Sequence, residues 1–502
     1  MPPPPSSPPG SPPCPPTPCA LVLVLGDAGR SPRMQYHCLS LLPRYDVTLL
    51  GYSGSPLVPP LACGPPGFQA RLFDPSLPLA NARPLRRGPL LPLYYLLRLL
   101  SVCSLALFHA LRPGSAAPPS SPPSFLPSLL PSRYDLILLQ SPPSLPALAL
   151  AYLLSLLCGR CAVVLDWHNL GYTMFPDRPG AWRAVRALVR WYEGLLGRLL
   201  PHASLCVSRA MRAWLLENFR LAHPVHVLHD RPPSLFSPPT PARKHALFLK
   251  LQASSSLSTH PLLPSLPPGQ TLLTASPSLP RAGRPRVIVS GTSWTPDEDF
   301  GMLLDALVEL DERQGGNGAF PDVLCLVTGR GPMKDMYERK FAAHPFKKVS
   351  IRTLWLEAAD YPTLVGCADL GVSLHTSTSG IDLPMKVLDM YGAGVPVAAV
   401  GFECLPELVQ EGVNGRVFED AGGLRAILEE LFGEGGEEEL GRLREGVKKG
   451  KRWEENWEEV VGEGVLPALP AARAPALLLA AATVAVLLAA LKLQHPPLLA
   501  DW

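Results

Sequence analysis

The chain has 502 residues, room for two or three ordinary domains, but 62 are proline, about 12 % where ~5 % is usual, so less than the whole chain folds. Hydrophobic residues at 47 % and charged residues at 17 % exclude a wholly disordered acidic or basic protein and supply material for two cores. A net charge of +3, from 45 Lys and Arg less 42 Asp and Glu, without any run of five basic residues, excludes an obligate nucleic-acid binder.

Residues 1–19 are almost entirely Pro, Ser and Cys and lack the charged start and apolar stretch of a secretory signal; they read as a disordered tail. Over 20–231 short apolar runs (Leu21–Leu25, Asp46–Leu50, Asp135–Leu139, Ala162–Leu165, Ser204–Val207) alternate with helical stretches such as Ala184–Leu200. A Pro/Ser-rich insertion, Arg112–Pro131, interrupts them. Residues 232–285 read as a Pro/Ser-rich linker in which only Ala242–Leu251 looks helical. The alternation resumes over 286–463, with strands expected at Arg286–Ser290, Asp322–Thr328, Lys348–Leu354, Asp369–Leu374 and Val395–Val400. This is βαβ logic run twice: an α/β chain with two Rossmann-like parallel-sheet domains facing a cleft.

Three apolar segments raise the question of a membrane. Leu90–Leu111 contains Arg98 and His109, and Leu145–Leu157 is short, so each reads equally well as a buried helix or a bilayer-surface helix. Within the apolar tail 464–502, Ala476–Leu491 is uncharged and, with its flank, reaches the short edge of the roughly 17–25 residues a span needs. Eleven cysteines, thinly spread and odd in number, suit a reducing compartment; Cys158 and Cys161 form a C-x-x-C with no second pair at zinc spacing and read as incidental thiols.

Ligands of doubly wound sheets bind beyond the carboxyl ends of the strands, which directs attention to four segments. In Gly26-Asp27-Ala28-Gly29-Arg30-Ser31-Pro32-Arg33 two glycines permit a tight turn, Ser31 and Pro32 suit a helix start, and Arg30 and Arg33 suit a phosphate, or else are a solvated pair. Asp166-Trp167-His168-Asn169 gathers a carboxylate, an imidazole and an amide at a strand end, as a general base requires. Gly329 and Gly331, in Thr328-Gly329-Arg330-Gly331-Pro332, let backbone approach a flat or anionic ligand. His375 is followed by Thr376, Ser377, Thr378, Ser379 and Gly380, then by a helix from about Pro384 with Lys386 and Asp389 on one face, a pattern suited to a diphosphate and a ribose. The acidic triplet Asp297-Glu298-Asp299 reads as a helix start instead of a metal site, because Thr295-Pro296-Asp297-Glu298 is a capping box leading into Phe300–Leu310.

Together these motifs resemble the chitobiosyldiphosphodolichol β-mannosyltransferases of eukaryotes. The stretches that carry the likeness are Gly26 to His37, Asp166 to Asn169, Thr292-Ser293-Trp294-Thr295 with Asp297 to Phe300, and Asp382-Leu383-Pro384-Met385-Lys386-Val387, and it runs from about Leu21 to Val460. The resemblance implies a GT-B fold, a GDP-mannose donor in the C-terminal domain and an acceptor of two N-acetylglucosamines on dolichyl diphosphate. It places the reaction at the cytosolic face of the endoplasmic reticulum membrane; no cofactor is firmly implied, no metal ligand is assigned, and a divalent-cation requirement is left open. More distantly, the C-terminal half is similar to retaining GT-B enzymes with two glutamates eight positions apart at the donor site. Ile381 and Asp389 stand at those positions here, a departure that agrees with an inverting reaction. A second departure is the Pro/Ser tail, which stands where the family has a hydrophobic anchor.

The roles that follow are expectations. Asp27 or His168 is the base, with Asp166 orienting the histidine. Gly26, Gly29, Arg30 and Arg33 meet the acceptor and its diphosphate. Ser377, Thr378, Ser379, Gly380 and Lys386 hold the donor diphosphate, Asp389 holds the ribose, and Gly329 and Gly331 line the nucleoside pocket. Two rivals remain: another GT-B nucleotide-sugar enzyme, and an inactive scaffold for partner mannosyltransferases of the dolichol pathway.

Overall fold

The computed structural model describes residues 17–75, 91–112, 134–158, 161–175, 180–234, 236–254, 256–261, 263–295, 298–316, 318–357, 359–376 and 380–469. The start of the proline-rich tail, the Ala476–Leu491 segment, Asp297, and Ser377, Thr378 and Ser379, which were expected to hold the donor diphosphate, lie outside these ranges.

β1 (Cys19–Asp27) shows how the first domain is built. Side chains alternate across a strand, and here both sets are apolar: Leu21, Leu23 and Leu25 enter one core while Ala20, Val22 and Val24 enter another. A strand apolar on both faces belongs inside a parallel sheet covered on both sides. The sheet is completed by β2 (Asp46–Tyr52), β3 (Phe68–Phe73), β4 (Leu136–Ser141), β5 (Ala162–Trp167), β6 (Ala203–Cys206) and β7 (Val225–Val227). All pairs are parallel and the order is β3-β2-β1-β4-β5-β6-β7. Helices Leu91–Leu111, Ser144–Cys158 and Ala181–Leu199 cover one face, and helix Pro32–Leu41 covers part of the other.

The expected linker is folded. Residues 241–254 form a helix, and β8 (Thr274–Ser276) pairs antiparallel with β9 (Leu279–Pro280). Leu247, Phe248, Leu251, Leu257, Leu272 and Leu273 join the core of the second domain, so its prolines punctuate a packed subregion instead of keeping the chain extended. The second sheet contains β10 (Arg286–Gly291), β11 (Val323–Thr328), β12 (Val349–Leu354), β13 (Leu370–Ser373), β14 (Val397–Val400) and β15 (Gly415–Phe418). Its order is β12-β11-β10-β13-β14-β15, again all parallel.

The expected end of the second domain, residue 463, also changes. From Trp453 the chain returns to the first domain, where Trp453, Trp457, Val461 and Val465 pack against Ala20, Val22, Met34 and Leu49 and complete the face that helix Pro32–Leu41 leaves open. Among the described residues no helix is long and apolar enough to cross a membrane. Helix Leu91–Leu111 buries Val102, Ala106 and Ala110 on the sheet and leaves Leu100 and Phe108 exposed.

Candidate active site

Asp166 lies on β5 on the same face as Ala162 and Val164, so its side chain points toward helix Pro32–Leu41. Arg33 and His37, four apart and hence on one face of that helix, both meet it. Arg33 grips the carboxylate with two bonds, Nε to Oδ2 at 2.8 Å and Nη2 to Oδ1 at 2.9 Å, and its Nη1 donates to Asp230 at 2.7 Å and to the Leu228 carbonyl at 2.9 Å. His37 Nε2 and His168 Nε2 approach Asp166 Oδ2 at 3.1 and 2.9 Å. Burial opposes ionisation of Asp166, but the Arg33 charge and the contacts with His168 and His37 outweigh it and hold the carboxyl well below its usual range.

An ionised carboxylate only accepts, so both imidazoles donate from Nε2. Trp457 Nε1, which can only donate, lies 2.9 Å from His37 Nδ1. His37 is therefore a neutral ring between two fixed partners, and burial lowers its pKa in keeping with this. His168, with 22 % of its side chain exposed, carries the outer end of the network; its Nε2 faces Asp166, which leaves Nδ1 as the ring nitrogen not engaged by that carboxylate.

The other expected residues of this domain are employed differently. Asp27 caps the turn Ala28–Arg30 and accepts from Gly29 N at 3.0 Å, Ser55 N at 2.9 Å and Ser55 Oγ at 2.8 Å. Burial alone would raise its pKa, yet these bonds and Arg30 lower it, so Asp27 is a poor proton acceptor and a firm anchor for the Ser55 loop. Gly29 permits that contact, since a Cβ there would collide with the Ser55 carbonyl. Gly26 lies within β1 and Arg30 is exposed. Arg33 was expected to face the acceptor diphosphate; it is instead 3 % exposed and bound to Asp166 and Asp230.

On the opposite side, helix Met385–Gly392 presents Lys386 and Asp389. Lys386 pairs with Glu298, a 3 %-exposed carboxylate that also accepts from Thr292 Oγ1 at 2.5 Å and Ser293 N at 2.8 Å. Helix Phe300–Gln314 is capped by Asp299, not by the expected box from Thr295, which leaves Glu298 to this ion pair. Burial lifts the Asp389 pKa to about 7, against the Tyr361 hydroxyl 3.3 Å away and the Lys386 charge. Gly329 has φ +142°, and a Cβ on it or on Gly331 would strike the carbonyl of Thr292 or Ser293. Their freedom thus serves contact between two loops of the protein, where the sequence suggested contact with a ligand. Gly380, φ +76°, begins the described part of the segment that leads to the helix.

The two halves meet at the carboxyl ends of their strands. Ser208 Oγ, just after β6, donates to the Ile381 carbonyl at 2.5 Å, and Ile381 packs against the core of the first domain. Glu407 accepts from the backbone N–H groups of Arg209 at 2.6 Å and Ala210 at 3.0 Å and lies 2.7 Å from His229 Nε2. Asp389 lies within electrostatic reach of Tyr36 in the other domain.

Residues 284–434 match the family model described as group 1 glycosyl transferases. The mouse chitobiosyldiphosphodolichol beta-mannosyltransferase is 38 % identical over 453 residues, 88 % of each chain. This chain belongs to the chitobiosyldiphosphodolichol β-mannosyltransferase family. Arabidopsis thaliana UDP-glycosyltransferase TURAN is 37 % identical over 478 residues, 88 % of this chain and 95 % of the relative. Anabaena HepE, solved in complex with UDP and glucose, superposes with a TM-score of 0.55 at 14 % identity, over 90 % of this chain and 99 % of that one, a likeness of GT-B fold. In this β-mannosyltransferase family chain the sequence reading gave Glu298 a capping role in place of the Lys386 ion pair and assigned no site role to His37 or Trp457. His37 had a signal, its four-residue spacing from Arg33; Trp457, 420 residues from its partner, had none.

Proposed function

We propose that the protein transfers mannose from GDP-mannose to O4 of the outer N-acetylglucosamine of chitobiosyl diphosphodolichol, inverting the anomeric carbon to give a β-1,4 linkage. Family membership supports the substrates, and the observation that carries the mechanism is the Asp166–His168 pair at the cleft. In this reading O4 attacks C1 from the β face while the bond from C1 to the GDP oxygen breaks on the α face, through an oxocarbenium-like transition state. The O4 proton passes to Nδ1 of His168, whose ring Asp166 orients. Asp27, its oxygens engaged by Ser55 and Gly29, shapes the acceptor loop. Lys386, Gly380, Ser377, Thr378, Ser379 and the N-terminus of helix Met385–Gly392 take the charge of the departing diphosphate. Asp389 receives the ribose, and exposed Arg30 meets the acceptor.

The reaction is assigned to the cytosolic face of the endoplasmic reticulum membrane. The test is mannose transfer from GDP-mannose to phytanyl-linked chitobiosyl diphosphate by detergent-solubilised protein, with the product digested by β-mannosidase. A β-linked product is expected, and His168→Asn should lower turnover roughly 10²- to 10⁴-fold. An α-linked product, or an unaffected His168 variant, would overturn the mechanism.

A further inference from the structure

Arg33, bound to two buried carboxylates, is taken out of diphosphate binding, and beside Lys386 and Arg30 one further arginine is placed to serve it. Arg231 follows directly on His229 and Asp230 at the carboxyl end of β7, where the chain leaves the first domain. It is only partly exposed and its Nε is buried without a hydrogen-bond partner. Its neighbour Asp230 already bonds Arg33. The other groups that act on its charge are Arg209, which repels it, and Tyr391, whose hydroxyl is likewise buried and unpartnered. Arg209 is exposed at the end of β6; its backbone is held by Glu407, and its guanidinium makes no hydrogen bond or ion pair among the described residues. Glu407 is occupied by that backbone and by His229. Tyr391 lies on the same helix as Lys386.

Asp230 is the anion that acts on Arg231 most strongly, but it is bonded to Arg33, so an arginine withdrawn from water, near a second cation and with its Nε unbonded, keeps capacity for a further anion, because buried donors are otherwise bonded. We propose that Arg231, with Arg209 and the Tyr391 hydroxyl, forms a diphosphate-binding site at the floor of the cleft. A guanidinium matches phosphate oxygens in pairs, and Tyr391 supplies a third donor. The diphosphate is that of the nucleotide donor or that of the lipid acceptor, and the proposal rests on the reading above only in taking both substrates to carry one.

The experiment uses the full chain in detergent and three ligands: inorganic pyrophosphate and GDP, by calorimetry, and phytanyl-linked chitobiosyl diphosphate, by steady-state kinetics. Arg231→Gln should weaken pyrophosphate binding roughly 10- to 100-fold, the range of a charged hydrogen-bond pair, with partial recovery in Arg231→Lys. A parallel loss of GDP affinity assigns the site to the donor; intact GDP affinity with a KM for the acceptor raised at least about tenfold assigns it to the acceptor. Arg209→Gln, at an exposed position, should give a smaller loss in the same direction and stands in if the Arg231 variants do not fold. Unchanged pyrophosphate, GDP and acceptor parameters in folded variants would overturn the proposal. Pyrophosphate binding needs no sugar transfer, so this result is read independently of the product's linkage.

Discussion

Lys386 and Glu298 are chemically coupled, and this changes what a lysine substitution reports. Removing the lysine leaves Glu298 buried with an uncompensated charge, which typically costs about 3–5 kcal/mol. Lys386→Ala should therefore lose both turnover and stability. Adding Glu298→Gln should restore much of the unfolding midpoint in urea while activity stays low; recovery of activity in the double variant would remove Lys386 from the donor site. His37 makes a pH prediction of definite sign. Its folded pKa is lowered by burial, so as pH falls the unfolded chain takes up the proton first. The stability it confers is complete above the unfolded value of about 6.5 and is lost as pH drops below it toward the lowered folded value. The melting temperature should decline between about pH 7 and pH 5, and less steeply in His37→Gln. The Asp166–His168 pair could be read in the sequence because its members are two residues apart at a strand end. Arg33, 133 residues from Asp166, was noticed but misassigned, since nothing local says whether an arginine turns outward to phosphate or inward to a carboxylate.

Most strands were legible as apolar runs bounded by turns: β1, β2, β4, β5 and β6 in the first sheet and β10 to β14 in the second, nearly all of them deeply buried. The strands missed were β3, only partly buried and reading Phe-Gln-Ala-Arg-Leu-Phe, β7, three residues long, and β15, whose Gly-Arg-Val-Phe holds just two bulky apolar residues. The proline-rich region before β10 misled for a different reason. Proline frequency reports where helices and strands stop, whereas burial depends on the leucines between those stops. The short helix Trp453–Trp457 has a mechanistic consequence at this scale. Trp457→Phe keeps the ring in the core and removes the donor to His37, which frees that ring to change tautomer and weakens its hold on Asp166. The expected result is kcat lower by roughly tenfold with both KM values unchanged and a displaced acid limb of the pH profile. A rise in KM alone would instead mark Trp457 as a packing residue.

At the scale of the molecule, the chain crosses between domains twice, near residue 232 and again near 453, so each domain contains residues that the other's sequence neighbourhood would claim. The two crossings, with Ser208 on Ile381 and Glu407 on the Arg209 backbone, set the floor of the cleft. A chain ending at Gly450 should lose the first domain as well as the crossover, because Trp453, Trp457, Val461 and Val465, each at most 4 % exposed, would leave an open apolar face. Aggregation or dye binding by that variant, against a soluble chain ending at Leu469, would show it. Normal solubility of the shorter chain would refute it.

The return of the last helix also orders the birth of the protein in time. The strands of the first sheet are complete once Val227 has been made, but the tryptophans that close its outer face lie some 230 residues further on, on the order of ten to fifty seconds of synthesis. Throughout that interval the first domain exists with one wall missing, and His37 waits for the indole that fixes its proton. The first domain to be translated is thus among the last to be finished, and a nascent chain becomes competent in both halves at nearly the same moment.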